Sequence, residues 1–176
     1  MKPSRFFMIA VCFTLSYCAG PAKFEVGTAS SMTKVFFDRP WQSGPADSVL
    51  ISAAGGEFES FQLVIFGQHD SLRSVKCSAE GLRSDSLVIS AGEITFNPVG
   101  YVRTSVVCKQ YSSSLGWWPD PLLALDSFDL APGEVQPVWV TVHVPAGTPA
   151  GIYRGTLSIS TEAGGRKEIP VRLRVW

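Results

Sequence analysis

Gly133 to Ser160 reads GEVQPVWVTVHVPAGTPAGIYRGTLSIS. Val138, Val140, Val142 and Val144 stand at alternate positions, the period of a strand with one buried face. Pro145 to Gly151 then breaks the pattern with two prolines and two glycines, the punctuation of a turn between strands. Tyr153, Leu157 and Ile159 resume the alternation. Strand, turn, strand is the reading that sets the fold class. The same stretch holds no nucleophile, acid–base pair or metal cluster arranged for a reaction, so it is silent about chemistry.

Working outward, the rhythm repeats. Thr33 to Phe37 and Ser48 to Ala53 are short strand-like runs, and Ala54-Gly55-Gly56 turns the chain. Glu57 to Phe66 is a long strand with Phe61, Leu63 and Ile65 on one face. Val75, Cys77 and Ala79 share a face of the next, followed by Leu87 to Ile89. Ile94 to Val107 is longer, with a bend expected at Asn97-Pro98, where an amide donor is missing. The last strand carries Ile169, Val171, Leu173 and Val175 inward, with Pro170, Arg172 and Arg174 facing away. Pro170 places that strand at an edge, or itself at a strand start. No stretch has the helical period. The expectation is an all-β chain of about eight or nine strands, folded as an antiparallel β-sandwich of immunoglobulin-like or jelly-roll-like form. A closed barrel is the alternative. One segment departs from the rhythm. Lys109 to Glu134 shows no strand period and reads as a long loop, of the kind that is often functional or packed against a partner.

The 176 residues, 45% hydrophobic and 17% charged, suit one domain with a full core. Lys+Arg and Asp+Glu are both 15, and no basic stripe is visible along the chain, which argues against a nucleic-acid partner. Residues 1–22 read as a targeting segment, leaving 23–176 as the sandwich. Lys2 and Arg5 precede the apolar run Phe6 to Leu15, which is shorter than the about 20 residues that span a bilayer and fits a secretory signal. Leu15-Ser16-Tyr17-Cys18 resembles a lipoprotein signal in which Cys18 is lipidated, although Tyr17 stands where a small residue belongs. Ordinary cleavage near Gly20 or Ala22 is the rival. The chain is therefore expected to be secreted, periplasmic or at the cell surface, touching a membrane only through that anchor. Cys77 and Cys108 would remain in the mature chain, either as one disulfide in an oxidising compartment or as two buried thiols. They and the two histidines, His69 and His143, are not spaced as metal ligands. Asp126, Asp129 and Glu134 lack the spacing of a calcium loop. No cofactor is implied.

Four stretches occur in order: Phe58-Glu59-Ser60-Phe61-Gln62-Leu63-Val64, Gly116-Trp117-Trp118-Pro119-Asp120-Pro121-Leu122, Gln136-Pro137-Val138-Trp139-Val140-Thr141-Val142, and Pro149-Ala150-Gly151-Ile152-Tyr153-Arg154-Gly155. Together they resemble the N-terminal β-sandwich of glycoside hydrolase family 123-like proteins. The resemblance covers nearly all of the mature chain. It implies membership in secreted β-N-acetylgalactosaminidase-like proteins, whose catalysis lies in a C-terminal barrel with an adjacent Asp-Glu pair and help from the substrate acetamido group, an exception to the two-carboxylate scheme. It carries the fold and context to this chain, and no catalytic residue. The expected partner is the catalytic barrel of the same longer polypeptide, with glycans as further ligands. Trp176 closes the last strand without a tail, which raises the expectation of an excised domain or truncated product against a natural end.

Glu57 and Glu59, on one strand face, would stand roughly 7 Å apart. That is near the inverting range for a carboxylate pair, but their place just after a glycine turn, with Gln62 nearby, favours hydrogen bonding. Trp117 and Trp118 offer flat faces to sugar rings, and Asp120 can accept hydrogen bonds from sugar hydroxyls or from a neighbouring domain. Alternatively one Trp plugs the end of the sandwich while Asp120 caps its own turn, or the pair packs on another domain. Trp139 and His143 point opposite to the valines of their strand and mark a surface for contact with a following domain.

Overall fold

Leu63, Ile65, Val138, Val140 and Val142 are buried almost completely, and cross-strand register sets them side by side on one sheet face. Tyr153, Leu157, Ile159 and Leu173 are equally buried on a second sheet. The computed structural model describes residues 23–67, 70–85, 87–106 and 115–176, and in it these rows meet in one apolar cluster. Each sheet has one greasy face and hides it on the other, which is the β-sandwich expected from the alternation.

Twelve strands lie among the described residues: β1 (Phe24–Ser30), β2 (Val49–Ala53), β3 (Phe58–Gly67), β4 (Leu72–Ala79), β5 (Leu82–Ser84), β6 (Leu87–Ile89), β7 (Ile94–Thr104), β8 (Gly116–Leu122), β9 (Phe128–Leu130), β10 (Val135–His143), β11 (Gly151–Ser160) and β12 (Arg166–Val175). The count exceeds the eight or nine read from the sequence. The first sheet runs β1-β3-β10-β7-β8; the second runs β2-β12-β11-β4-β9, with β5 joined to β11 and β6 to β5. β2 pairs with β12 in parallel. The other pairings among the described residues are antiparallel.

The turn from Pro145 to Ala150 does more than reverse the chain. β10 belongs to the first sheet and β11 to the second, so the turn carries the chain across the sandwich. Thr148 Oγ1 donates to the Pro145 carbonyl at 2.6 Å, and the buried Tyr153 hydroxyl donates to the Pro149 carbonyl at 3.0 Å. These bonds satisfy carbonyls that no strand neighbour reaches.

Three local expectations change. Thr33 to Phe37 is not a strand; it lies over the outer side of the first sheet, where Val35 packs on Val64 and Val135. Phe24 to Ser30, with no clear sequence signal, pairs along β3. Lys109 to Glu134 is not one loop, because β8 and β9 fall inside it. The bend in β7 has a clear form: through Pro98 the strand pairs with β10, and from Val99 it pairs with β8. Pro170 lies on the free-edge half of β12, one residue before the pairing with β2 begins at Val171, where its missing N–H costs no ladder bond. Residues 1–22, expected to be a targeting segment and including Cys18, lie outside the described residues, as do Cys108 and His69.

Candidate functional site

The side chains that alternate with the core rows form the outer face of the first sheet. Trp139 stands opposite Gln62 on one side and Asn97 on the other; Thr141 stands opposite Ser60 and Thr95; His143 stands opposite Phe58. Residues 31–41 fold back over part of this face. Gln62 holds them down: it is buried, and its side-chain amide donates to the carbonyls of Ser30 and Thr33, each at 2.8 Å. The Trp41 indole N–H donates to the Gly44 carbonyl at 3.0 Å and lies so close over Gly27 that a Cβ there would collide with it.

β8 flanks the same face. The Asn97 amide donates to the Leu123 carbonyl at 3.1 Å, and the Tyr101 hydroxyl donates to the Val35 carbonyl at 3.1 Å. Burial, then the negative charge of Asp38, raises the Tyr101 pKa above its ordinary value. Trp118 meets Phe36 edge-on at 5.5 Å between centroids, with the Lys34 ammonium 4.6 Å from its ring centre. Trp117 meets Phe37 edge-on at 6.3 Å. These contacts join residues 31–41 to β8 as one outer layer.

Between the two halves of that layer runs a groove of about 270 Å³. Trp139 and Gln62 line it from the sheet, Lys34 and Thr33 from one side, and Pro119 and Asp120 from the other. An aromatic face, an ammonium, a carboxylate and an amide around a groove of this size suit a polyhydroxylated ring: apolar C–H against the indole, hydroxyls toward Lys34 and Asp120.

Of the residues singled out from the sequence, the structure brings Asp120 and Trp139 into this groove and sets Trp118 beside it, against Lys34 and Phe36. Trp117 points to the other side of β8, 45% exposed, beside Phe37, Tyr101 and Glu134. Neither Trp117 nor Trp118 belongs to the apolar cluster between the sheets. His143 sits apart at the end of β10, stacked on Phe58 with centroids 4.3 Å apart, its Nδ1 2.6 Å from Glu93 Oε2. Phe58 itself is 68% exposed. Glu57 Oε2 accepts the Ala54 N–H at 2.7 Å, a turn-closing role, and Glu59 lies opposite Val142. Cys77 is partly buried on β4, and burial pushes its thiol up to about 12. Among the described residues no group of three or more His, Cys, Asp and Glu is placed to hold a metal. Sequence reading missed Lys34, Phe36, Phe58 and Glu93, whose roles arise from long-range pairing. Gln62 left a trace, as the one amide inside an apolar run.

The model of the glycoside hydrolase 123 N-terminal domain matches residues 42–161. Among solved structures, the chain is similar to a family 123 glycoside hydrolase from Clostridium perfringens, described in work on glycolipid glycan hydrolysis, with a TM-score of 0.78 and 13% identity. That similarity covers 88% of this chain and 27% of the other, so the chain spans about a quarter of the length of the enzyme it matches. A PapD-like domain of human CEP192 is similar over 99% of this chain and 98% of its own, at a TM-score of 0.45 and 13% identity. No curated protein sequence matches the chain. The family match spans well over half of the residues and includes β2 through β11: the chain belongs to the glycoside hydrolase 123 N-terminal domain family.

Proposed function

We propose that the chain is the non-catalytic N-terminal sandwich of an exported family 123-like glycoside hydrolase, bracing a catalytic barrel that lies C-terminal to it and acts on glycans containing N-acetylgalactosamine. The observation that carries this reading is the family match over residues 42–161, with the fold spanning 27% of a family 123 enzyme. The carboxylates support it through the structural work they do. Glu57 closes a turn, Glu134 Oε2 accepts the Ala131 N–H at 3.1 Å, Asp129 accepts from Arg73 and the Ser74 N–H, and Glu93 is joined to His143. On this reading the open end of the first sheet, Phe58 with His143, docks on the barrel, and the groove at Trp139 and Asp120 shapes one rim of the sugar site. Export rests on Lys2, Arg5 and the apolar run that follows; palmitate labelling of the expressed chain, lost in Cys18→Ser, is the test of lipid anchoring.

The groove favours a second reading, a stand-alone carbohydrate-binding or adhesive module. Two measurements separate the readings. Pure chain should release no chromogen from an aryl N-acetylgalactosaminide, and turnover abolished by Glu59→Gln would overturn the non-catalytic assignment. Titration calorimetry with N-acetylgalactosamine oligosaccharides should show little or no heat for the bracing role. Micromolar binding that disappears in Trp139→Ala would favour the module.

A further inference from the structure

The outer face of the second sheet carries a row of arginines that no reading of the linear sequence displays. Register places Arg83 of β5 opposite Arg154 of β11, and Arg154 opposite Arg172 of β12. Leu50 of β2 follows next in the row. With strands about 4.8 Å apart, three guanidinium groups spring from roughly 10 Å of sheet, and Arg174 stands one pleat away on the same face. All four are exposed. The ion pairs among the described residues are Arg73–Asp129, His143–Glu93, Arg166–Glu168 and Lys167–Glu25; none includes Arg83, Arg154, Arg172 or Arg174. Every Asp and Glu of the chain is among the described residues, and none of them stands within ion-pair distance of these four guanidinium groups. Like charges directly opposite across strands destabilise a sheet, and a chain with equal numbers of acids and bases has acids available to interleave.

Beside the row lies an open groove of about 690 Å³ lined by Arg172, Arg174, Leu50, Ile152 and Trp176. The Arg174 guanidinium lies 3.7 Å from the centre of the Trp176 ring, and that ring is 63% exposed. We infer that this face binds a polyanionic glycan, a chain bearing sulfate or carboxylate groups, independently of the groove on the first sheet and of any catalytic partner. Planar guanidinium forks match sulfate and carboxylate in two-point geometry, and an indole gives a stacking surface to the sugar ring between charges. The concave form favours a flexible chain laid along the row over a flat bilayer, which would meet only the rim.

The test uses the full chain and measures affinity for chondroitin sulfate, polygalacturonate and neutral dextran at low and moderate salt. Chondroitin sulfate and polygalacturonate separate the sulfate from the carboxylate source. Binding of at least one, weakening with salt and about tenfold or more weaker in the Arg83→Gln/Arg154→Gln/Arg172→Gln variant, supports the proposal. An Arg39→Gln/Arg103→Gln control, with the same kind of charge removed elsewhere, should keep wild-type affinity. Because the triple change relieves repulsion, its thermal midpoint should equal or exceed that of the wild type, so loss of binding cannot be assigned to misfolding. The proposal is overturned if both polyanions bind no better than dextran, if the control weakens binding as much as the triple variant, or if only phosphatidylglycerol vesicles or an acidic peptide show the arginine dependence.

Discussion

Gln62 makes the outer layer of the first sheet depend on one side chain. Its amide donates to the Thr33 carbonyl and to the Ser30 carbonyl, the latter shared with the Thr33 N–H. Replacement by leucine keeps the volume and strands the Thr33 acceptor, so Gln62→Leu should cost about 1–3 kcal/mol. The check is a lower urea midpoint at unchanged slope. Ionisable residues add a pH dependence of definite sign. Burial raises the Cys77 thiol from its ordinary 9.0 to about 12, and Tyr101 is raised as well. In both, folding favours the protonated form and the unfolded chain gives up its proton first. Their stabilisation is therefore complete below about pH 9 and declines as pH rises toward about 12. Asp129 has the opposite sense: the Ser74 N–H, then Arg73, hold its carboxyl low, so what it adds is present at neutral pH and fades in acid. Urea titrations from pH 7 to 11 should show the alkaline loss. Cys77→Val should remove the part that begins near pH 9 and leave the part due to Tyr101.

At the scale of elements, legibility followed periodicity. β11 and β12 keep their two-residue alternation because each has one buried face and one more open face, and β10 keeps it from Val138 onward, where its outer side carries the half-buried Trp139, Thr141 and His143. β3 is buried on both sides in its middle, so its run FQLVIF reads as uniformly apolar, and only Gln62 betrays the second layer. β8 was hidden by Pro119 and Pro121; at the edge of its sheet, prolines remove few ladder bonds. Thr33 to Phe37 has strand-like composition because Val35 is packing on a sheet rather than joining one. The groove was half legible: Asp120 and Trp139 were visible as an acid in an irregular stretch and an outward aromatic, whereas Lys34 reaches them through a segment far away in sequence. Arg172 and Arg174 were visible as outward residues, but their alignment with Arg154 and Arg83 depends on cross-strand register. Gly155 shows how such register is secured. A Cβ there would overlap the Gly81 carbonyl and crowd Leu82, so the bare backbone lets β5 come up against β11. Gly155→Ala should cost about 2 kcal/mol or more and should speed amide exchange in β5 and β6 more than in β10.

For the whole molecule, the two sheets share a single apolar cluster, while residues 31–41 are tied on by Gln62, Tyr101, the small cluster around Val35 and a few aromatic edges, and β8 is an edge strand held by its ladder to β7. The sandwich should therefore unfold as one unit, and the layer should be its least secure part. Tryptophan placement makes the difference measurable. Four of the five tryptophans, Trp41, Trp117, Trp118 and Trp139, lie in the layer or beneath it, and only Trp176 belongs to the second sheet. Fluorescence reports the layer, and far-UV circular dichroism reports the strands. In the wild type the two urea transitions should coincide, because Gln62 and Tyr101 bridge layer and sheet. In a Gln62→Leu/Tyr101→Phe variant the fluorescence transition should move to lower urea, ahead of the dichroism. Any glycan affinity that depends on Trp139 and Asp120 should vanish with the fluorescence change. Coincident transitions in that variant would mean that the apolar packing of the layer and the β7–β8 ladder hold it without those two side chains, and that the groove is as durable as the core beneath it.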